Sequence, residues 1–212
     1  MHYPFITIEG NIGAGKTTLS QKLAAHYNAK LILEEFADNP FLPNFYKDPA
    51  QYAFPLELFF MAERYKQLKE MLVAQDLFTA GVVSDYLFIK SLLFAKINLS
   101  GDEYSLYQKL FDIINPQLKQ PDLLVYLNSP IEQLQRNIHK RNRSYEQNIA
   151  DQYLEKVHGM YMQYIKQHPV RTLIIDTTQV DFVQSEQDFL AIVTALEKDY
   201  EPGIHYFSQD GQ

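Results

Sequence analysis

Residues 5–27 read FITIEGNIGAGKTTLSQKLAAHY, and this stretch decides the fold. A short apolar run, Phe5–Glu9, has the Ile-rich and uninterrupted character of a buried parallel strand. Gly10-Asn11-Ile12-Gly13-Ala14-Gly15-Lys16-Thr17 follows at once and fits G-x-x-x-x-G-K-[ST] in full. A helical pattern, Thr17–Tyr27, comes directly after. Glycines let such a loop curl until its N–H groups point inward around a phosphate. Lys16 would neutralise the β and γ oxygens, Thr17 would hold Mg²⁺ through its hydroxyl, and the helix start adds its dipole. Residues Gly10 to Thr18 are therefore the expected contacts for a nucleoside triphosphate. A glycine-rich turn could match by chance, but strand, spacing and helix all agree here. The motif says little about what receives the phosphate.

Outward from this unit, short β-rich runs alternate with longer helical patterns. Strands are expected at Phe5–Glu9, Leu31–Glu34, Val82–Asp85, Leu123–Leu127 and Thr172–Asp176. Helices are expected at Thr17–Tyr27, Pro49–Gln75, Tyr86–Ile97, Tyr104–Leu118, Pro130–Lys140, Ile149–Lys166 and Phe182–Lys198. Strands separated by helices imply a three-layer α/β/α domain on a five-stranded parallel sheet. One domain over residues 1–200 is expected, with Glu201–Gln212 as a loose tail. Three strand candidates end in a carboxylate: Glu34, Asp85 and Asp176. Ligands of open α/β sheets bind at those ends, although capping or solvation of a loop explains any one acid equally well.

Composition narrows the function. The 212 residues carry 19 Lys+Arg against 26 Asp+Glu, a formal charge of −7 that argues against a nucleic-acid or anionic-membrane partner. The chain has no Cys, which removes disulfides, thiol catalysis and thiolate metal sites. The start, MHYPFITIEGN, is no secretory signal, and no run of apolar residues is long enough to span a membrane. A soluble protein of a reducing compartment is expected, and the six His are scattered singly without a metal or catalytic pattern. Positive charge concentrates in LQRNIHKRNRSYEQ, with Arg136, Lys140, Arg141 and Arg143. A charge run is usually a solvated helix face. Here no acid intervenes until Glu146, and Arg141 and Arg143 flank the point where the helix gives way. Two arginines on such a hinge suit a lid, about residues 136–149, that closes over a transferring phosphoryl group.

LEEFADNPFLPNFYKDPAQYAFPLELFFMAERY and KRNRSYEQ, added to GNIGAGKTT, resemble the deoxynucleoside kinases, a P-loop kinase family related to thymidylate kinase. The first stretch resembles the bacterial purine enzymes in particular. The resemblance runs from Phe5 to about Asp176. It implies an ATP- and Mg²⁺-dependent enzyme that phosphorylates the 5′-hydroxyl of a deoxynucleoside in nucleotide salvage. It further implies a cytoplasmic homodimer built through helices beside the sheet. By this resemblance Glu34 is the catalytic base, Asp85 assists Mg²⁺, and Arg141 and Arg143 cover the γ-phosphoryl. Tyr46 and Glu146 would share the sugar 3′-hydroxyl, and Arg64 would lie at the base site. Glu35 is the neighbouring acid, and strand alternation points it the other way.

Two departures from the family pattern stand out. The acid-Arg-Ser triplet that usually closes the third strand reads Asp85-Tyr86-Leu87, so the arginine supporting the catalytic carboxylate is missing. Without that charge the orientation and ionisation of Glu34 are expected to be less secure. Glu57 stands where the family usually has Gln. A carboxylate offers only acceptors, which suits the N1–H and N2–H₂ of guanine. A purine deoxynucleoside is the expected substrate, with deoxyguanosine favoured. Arg64, seven residues on, could pair with Glu57 or contact a purine carbonyl. The alternatives are a nucleoside monophosphate kinase, which needs fixed positive charge near the third strand, and a P-loop module that binds nucleotide without chemistry.

Overall fold

A computed structural model of the chain describes residues 1–34, 39–73, 79–143 and 145–208, with the backbone alone at 71–73. Strands β1 (Phe5–Gly10), β2 (Lys30–Ile32), β3 (Val82–Ser84), β4 (Leu123–Asn128), β5 (Thr172–Asp176) and β6 (Ile204–Tyr206) form one sheet in the order β2-β3-β1-β4-β5-β6. Every described pairing is parallel, with Ile6 opposite Leu123 and Leu124 opposite Thr172. From β1 the chain first builds β2 and β3 on one side and then β4 to β6 on the other. The crevice at the carboxyl ends of β1 and β3 is thus a topological switch point, where such sheets bind ligands.

Eight α-helices surround the sheet among the described residues: α1 (Lys16–Tyr27), α2 (Leu42–Phe45), α3 (Pro49–Val73), α4 (Lys90–Asn98), α5 (Gly101–Ile114), α6 (Ile131–Arg141), α7 (Asp151–Gln167) and α8 (Glu186–Leu196). Ile6, Ile8, Val125 and Leu127 pack against Leu19 and Leu23 of α1, Leu134 of α6 and Ile192 of α8. On the opposite face, Leu124 and Tyr126 meet Val157 and Tyr161 of α7, while Phe5 and Ile32 meet residues of α3, α4 and α5. Both faces of β1 are covered, which is why its residues are all buried and its sequence does not alternate.

The expected three-layer α/β/α architecture is present, with six strands instead of five. The sixth comes from Glu201–Gln212, expected to be loose: β6 pairs with β5, and Thr172 N donates to Gly203 O at 2.8 Å. Phe207 N likewise donates to Ile174 O at 2.8 Å, so backbone groups along that side of β5 are partnered rather than left as a bare edge. Residues 209–212 lie outside the described residues, as does Gln75, the expected end of the long helix. β2 and β3 stop at Ile32 and Ser84, so Glu34 and Asp85 sit just past their strands. The ladder ends there because the Asp85 side chain takes the Glu34 N–H. The helix expected from Tyr86 begins at Lys90, since residues 85–89 form a turn hung on the buried Glu9 carboxylate through Leu87 N (2.7 Å). The one-turn helix α2 carries too few residues to show a period.

Deletion from Pro202 onward removes β6 and bares β5. It should lower stability by about 2 kcal/mol, a Tm drop of roughly 4–8 °C in a thermal melt. An unchanged Tm would contradict the structural part given to this segment.

Candidate active site

The phosphate loop owes its shape to glycines where side chains would collide. Gly13 and Gly15 have φ of +82° and +90°, and a Cβ on Gly13 would stand 2.8 Å from Leu134 O. Asn11 Nδ2 donates to Leu154 O at 2.7 Å and Asn137 Nδ2 to Gly13 O at 2.8 Å, which pins the loop to α7 and α6. Lys16 Nζ lies over the loop, donating to Gly10 O (3.0 Å) and Asn11 O (2.8 Å). Burial, and then the neighbouring Lys90, lower its pKa to about 8. Gly10, Asn11 and Ala14 frame the loop from behind. Ile12, Gly13, Gly15, Lys16, Thr17 and Thr18 line a cleft of about 690 Å³.

Asp85 joins this loop to the other half of the cleft. Its Oδ2 accepts from Thr17 Oγ1 at 2.6 Å and its Oδ1 from Glu34 N at 2.7 Å. A hydroxyl and a carboxylate oxygen side by side beneath a phosphate loop fit Mg²⁺, a hard cation that takes few protein ligands alongside phosphate and water.

Glu34 itself is gripped by two cations. Its Oε1 accepts from Arg64 Nε at 2.9 Å and Nη2 at 2.5 Å, and its Oε2 accepts from Lys90 Nζ at 2.5 Å. Arg64 Nη1 donates to Ser91 Oγ at 2.8 Å, so Arg64 is turned to Glu34 rather than to Glu57. Burial raises the proton affinity of Glu34, but Lys90 and Arg64 outweigh it and hold the carboxyl well below the usual carboxylate range. Its ionisation is therefore secure, against the expectation drawn from Tyr86. The charge that Tyr86 lacks comes from Lys90, four residues later. Tyr86 is fully buried and its hydroxyl donates to Gln67 Oε1 at 2.6 Å, while Gln67 Nε2 holds Leu33 O at 3.0 Å, next to Glu34. Glu35 lies outside the described residues.

Farther in, Glu57 is 2% exposed. Asn98 Nδ2 donates to its Oε1 at 2.7 Å, Tyr153 Oη fixes Asn98 through Oδ1 (3.3 Å), and Glu57 Oε2 has no hydrogen-bond partner among the described residues. Burial pushes its pKa up to about 7, with Glu34 adding to the rise and Asn98, Arg64 and Lys90 opposing it. At the far rim, Arg141 and Arg143 both bond the buried Glu146, Arg143 at 3.3 Å. Tyr46 stacks on Tyr145 with ring centroids 5.9 Å apart, and Ser144 lies outside the described residues. Tyr46, Glu57, Arg64, Asp85, Arg141, Arg143 and Glu146 line the same cleft as Glu34 and the phosphate loop. Asp176 does not join them: its carboxylate caps Thr178 N (2.9 Å) in an exposed turn.

Sequence reasoning missed Lys90, Asn98, Tyr153 and Glu9. One signal was available for Lys90, a lone cation inside the apolar run LFIKSLLFA that has to be buried with a partner. Asn98 and Tyr153 carry no local signature, since only the packing of α4 on α7 brings them to Glu57.

The fold and its phosphate loop define a P-loop nucleotide-binding protein. Comparison with known proteins gives the class its family: the deoxynucleoside kinase family model matches residues 6–200, and the chain belongs to that family. A deoxyguanosine kinase of Bacillus subtilis is 34% identical, over 92% of this chain and 97% of its own. A deoxyadenosine kinase of Dictyostelium discoideum is also 34% identical, over 86% of this chain and 75% of its own. Among solved structures, deoxyadenosine kinase from M. mycoides with the products dCMP and dCDP superposes with a TM-score of 0.78 at 24% identity, over 90% of this chain and 97% of that one. The chain is thus a nucleoside-phosphorylating kinase, and ATP is the donor that the family implies. No helix among the described residues is long and apolar enough to cross a membrane.

The raised pKa of Glu57 ties stability to pH. Folded, it keeps its proton to about pH 7, whereas unfolded it loses it near its ordinary 4.5. Between those values the native state binds more protons, so this contribution to stability is full below 4.5 and is lost as pH rises to 7. Glu57→Gln should therefore raise Tm relative to wild type more at pH 8 than at pH 5, by an amount worth up to roughly 3 kcal/mol. An equal difference at both pH values in thermal melts would count against a buried, neutral Glu57.

Proposed function

We propose that this chain transfers the γ-phosphoryl group of Mg·ATP to the 5′-hydroxyl of a purine deoxynucleoside, deoxyguanosine above deoxyadenosine, in nucleotide salvage. The observation that carries the reading is the Glu34 clamp. The cations nearest the acceptor side, Arg64 and Lys90, both turn to Glu34 and hold it ionised there. A nucleoside monophosphate would bring a dianion up against that anion while both cations are engaged by it, so a neutral nucleoside fits better. A non-catalytic module has no need of a doubly clamped carboxylate facing a phosphate loop.

In this reading Glu34 orients the 5′-hydroxyl. Among the described residues Oε1 takes two donors and Oε2 one, leaving Oε2 a lone pair for the incoming O–H. As the sugar oxygen bonds phosphorus and the bridging P–O bond to ADP breaks, the hydroxyl proton passes to Glu34. A base this acidic suits a loose transition state in which proton transfer comes late. Thr17 and Asp85 would hold Mg²⁺, which supplies positive charge to the phosphate oxygens. Lys16 offsets charge at the β and γ positions, and Arg141 and Arg143 do so at the transferring group once they turn from Glu146. Tyr46 and Glu146 hold the sugar. Lys90 and Arg64 are positioning residues that act through Glu34. Gly10 to Thr18 form one donor site within a single domain that includes β6, with a lid at about 136–149. A cytoplasmic homodimer completes the reading, supported by Leu106 and Ile113, which are 50% and 66% exposed on one face of α5.

Glu34→Gln should lower kcat by about 10²- to 10⁴-fold while ATP affinity stays within a few fold. Lys90→Met should lower kcat at least about tenfold with little change in KM, and Lys90→Arg should restore most of it. A Glu34→Gln enzyme with near wild-type kcat would remove the proposed base. Lys90→Met acting on Tm alone would reduce Lys90 to a packing role.

A further inference from the structure

Glu34 and Glu57 share one cleft, yet they are provided for very differently. Two cations hold Glu34 as an anion. Among the described residues Glu57 has one neutral donor, the Asn98 amide on Oε1, and its other oxygen is buried without a partner. Arg64 is the cation of its own helix that acts on it, and it is turned to Glu34 and Ser91. The other titratable or charged groups that face Glu57 are Glu34 beyond β2, Lys90 on α4, Tyr107 on α5 and Tyr153 on α7. Tyr107 Oη bonds the Glu57 backbone carbonyl at 3.2 Å and gives the carboxyl nothing. An isolated buried carboxylate lowers its free energy by keeping a proton or by acquiring donors from a ligand.

Resting on the proposed activity, we infer that Glu57 reads the purine through its own protonation: the carboxylate form takes guanine, the carboxylic acid form takes adenine. The chemistry of the two edges requires this split. Guanine presents two donors, N1–H and N2–H₂, which a carboxylate accepts with both oxygens. Adenine presents an acceptor, N1, beside a donor, N6–H₂. It matches only a carboxyl that donates with one oxygen and accepts with the other. The ionised form would leave adenine N1 facing an anion in a buried site. Base choice and one proton are therefore coupled, and the reciprocity of linkage makes each base shift the affinity for that proton. The burial that pushes Glu57 up to about 7 puts the exchange within the physiological range.

The test is kcat/KM for deoxyguanosine and deoxyadenosine with Mg·ATP at pH 6.0 and 8.5, for the wild type and Glu57→Gln. The two forms of Glu57 interchange tenfold per pH unit, so the deoxyguanosine-to-deoxyadenosine ratio of the wild type should rise at least about tenfold across this range. Glu57→Gln, which always offers one donor and one acceptor, should favour deoxyadenosine and show a flat ratio. Binding calorimetry at pH 8 in phosphate and in Tris adds a readout on unmodified protein: deoxyadenosine should take up close to one proton and deoxyguanosine close to none. A wild-type ratio that moves less than about threefold, or equal proton uptake for both, overturns the inference and leaves the kinase reading intact. Failure to turn over any deoxynucleoside overturns that reading, and the inference with it.

Discussion

One buried carboxylate between two cations organises the acceptor half of this molecule. Arg64 arrives from the middle of α3, Lys90 from the first residue of α4, and Glu34 from the loop past β2. These elements are far apart in sequence, and each contributes a charge that could not be buried alone. Removing one member leaves the others uncompensated in a desolvated place, so the triad fixes how α3 and α4 dock on the sheet edge. Asp85 carries the same constraint across to the phosphate loop, since its two oxygens hold Glu34 N and Thr17 Oγ1. The distance between a donor phosphate and an acceptor hydroxyl is set by that short chain of bonds, well before any substrate arrives.

Glu9 extends the pattern beneath the loop. Buried on the α7 side of β1, it accepts from Tyr161 Oη (2.8 Å) and Leu87 N (2.7 Å), and the charges of Lys90 and Lys16 oppose the rise that burial causes in its pKa. The turn hung on Glu9 delivers Asp85 and Lys90 to their stations. Glu57 is the exception. Its environment drives its proton affinity in the opposite direction from that of Glu34, and carboxyls pushed apart in this way within one cleft take different roles.

Much of this was legible locally. The phosphate loop announces itself in eight consecutive residues because its function needs glycines, a lysine and a hydroxyl at fixed offsets. The four inner strands, β1, β3, β4 and β5, are readable because burial on both faces makes them continuous apolar runs. β6 is not, for IHY is too short and too polar to stand out, and pairing with β5 is what makes it a strand. The partners of Glu34 were half legible. Arg64 is legible as a cleft residue, but its choice of Glu34 over Glu57 or a purine carbonyl depends on how α3 lies over the sheet. Tyr86 removes a charge from its position in the chain but not from the volume around Glu34. Lys90 fills that volume from four residues away.

The most direct measurement is an acceptor panel with Mg·ATP: the four deoxynucleosides against dTMP and dGMP, scored by kcat/KM. A cleft whose acceptor-side cations are all spoken for predicts turnover of purine deoxynucleosides and none of either monophosphate. Turnover of a monophosphate alone would contradict it. So would ATP binding without phosphorylation of any acceptor.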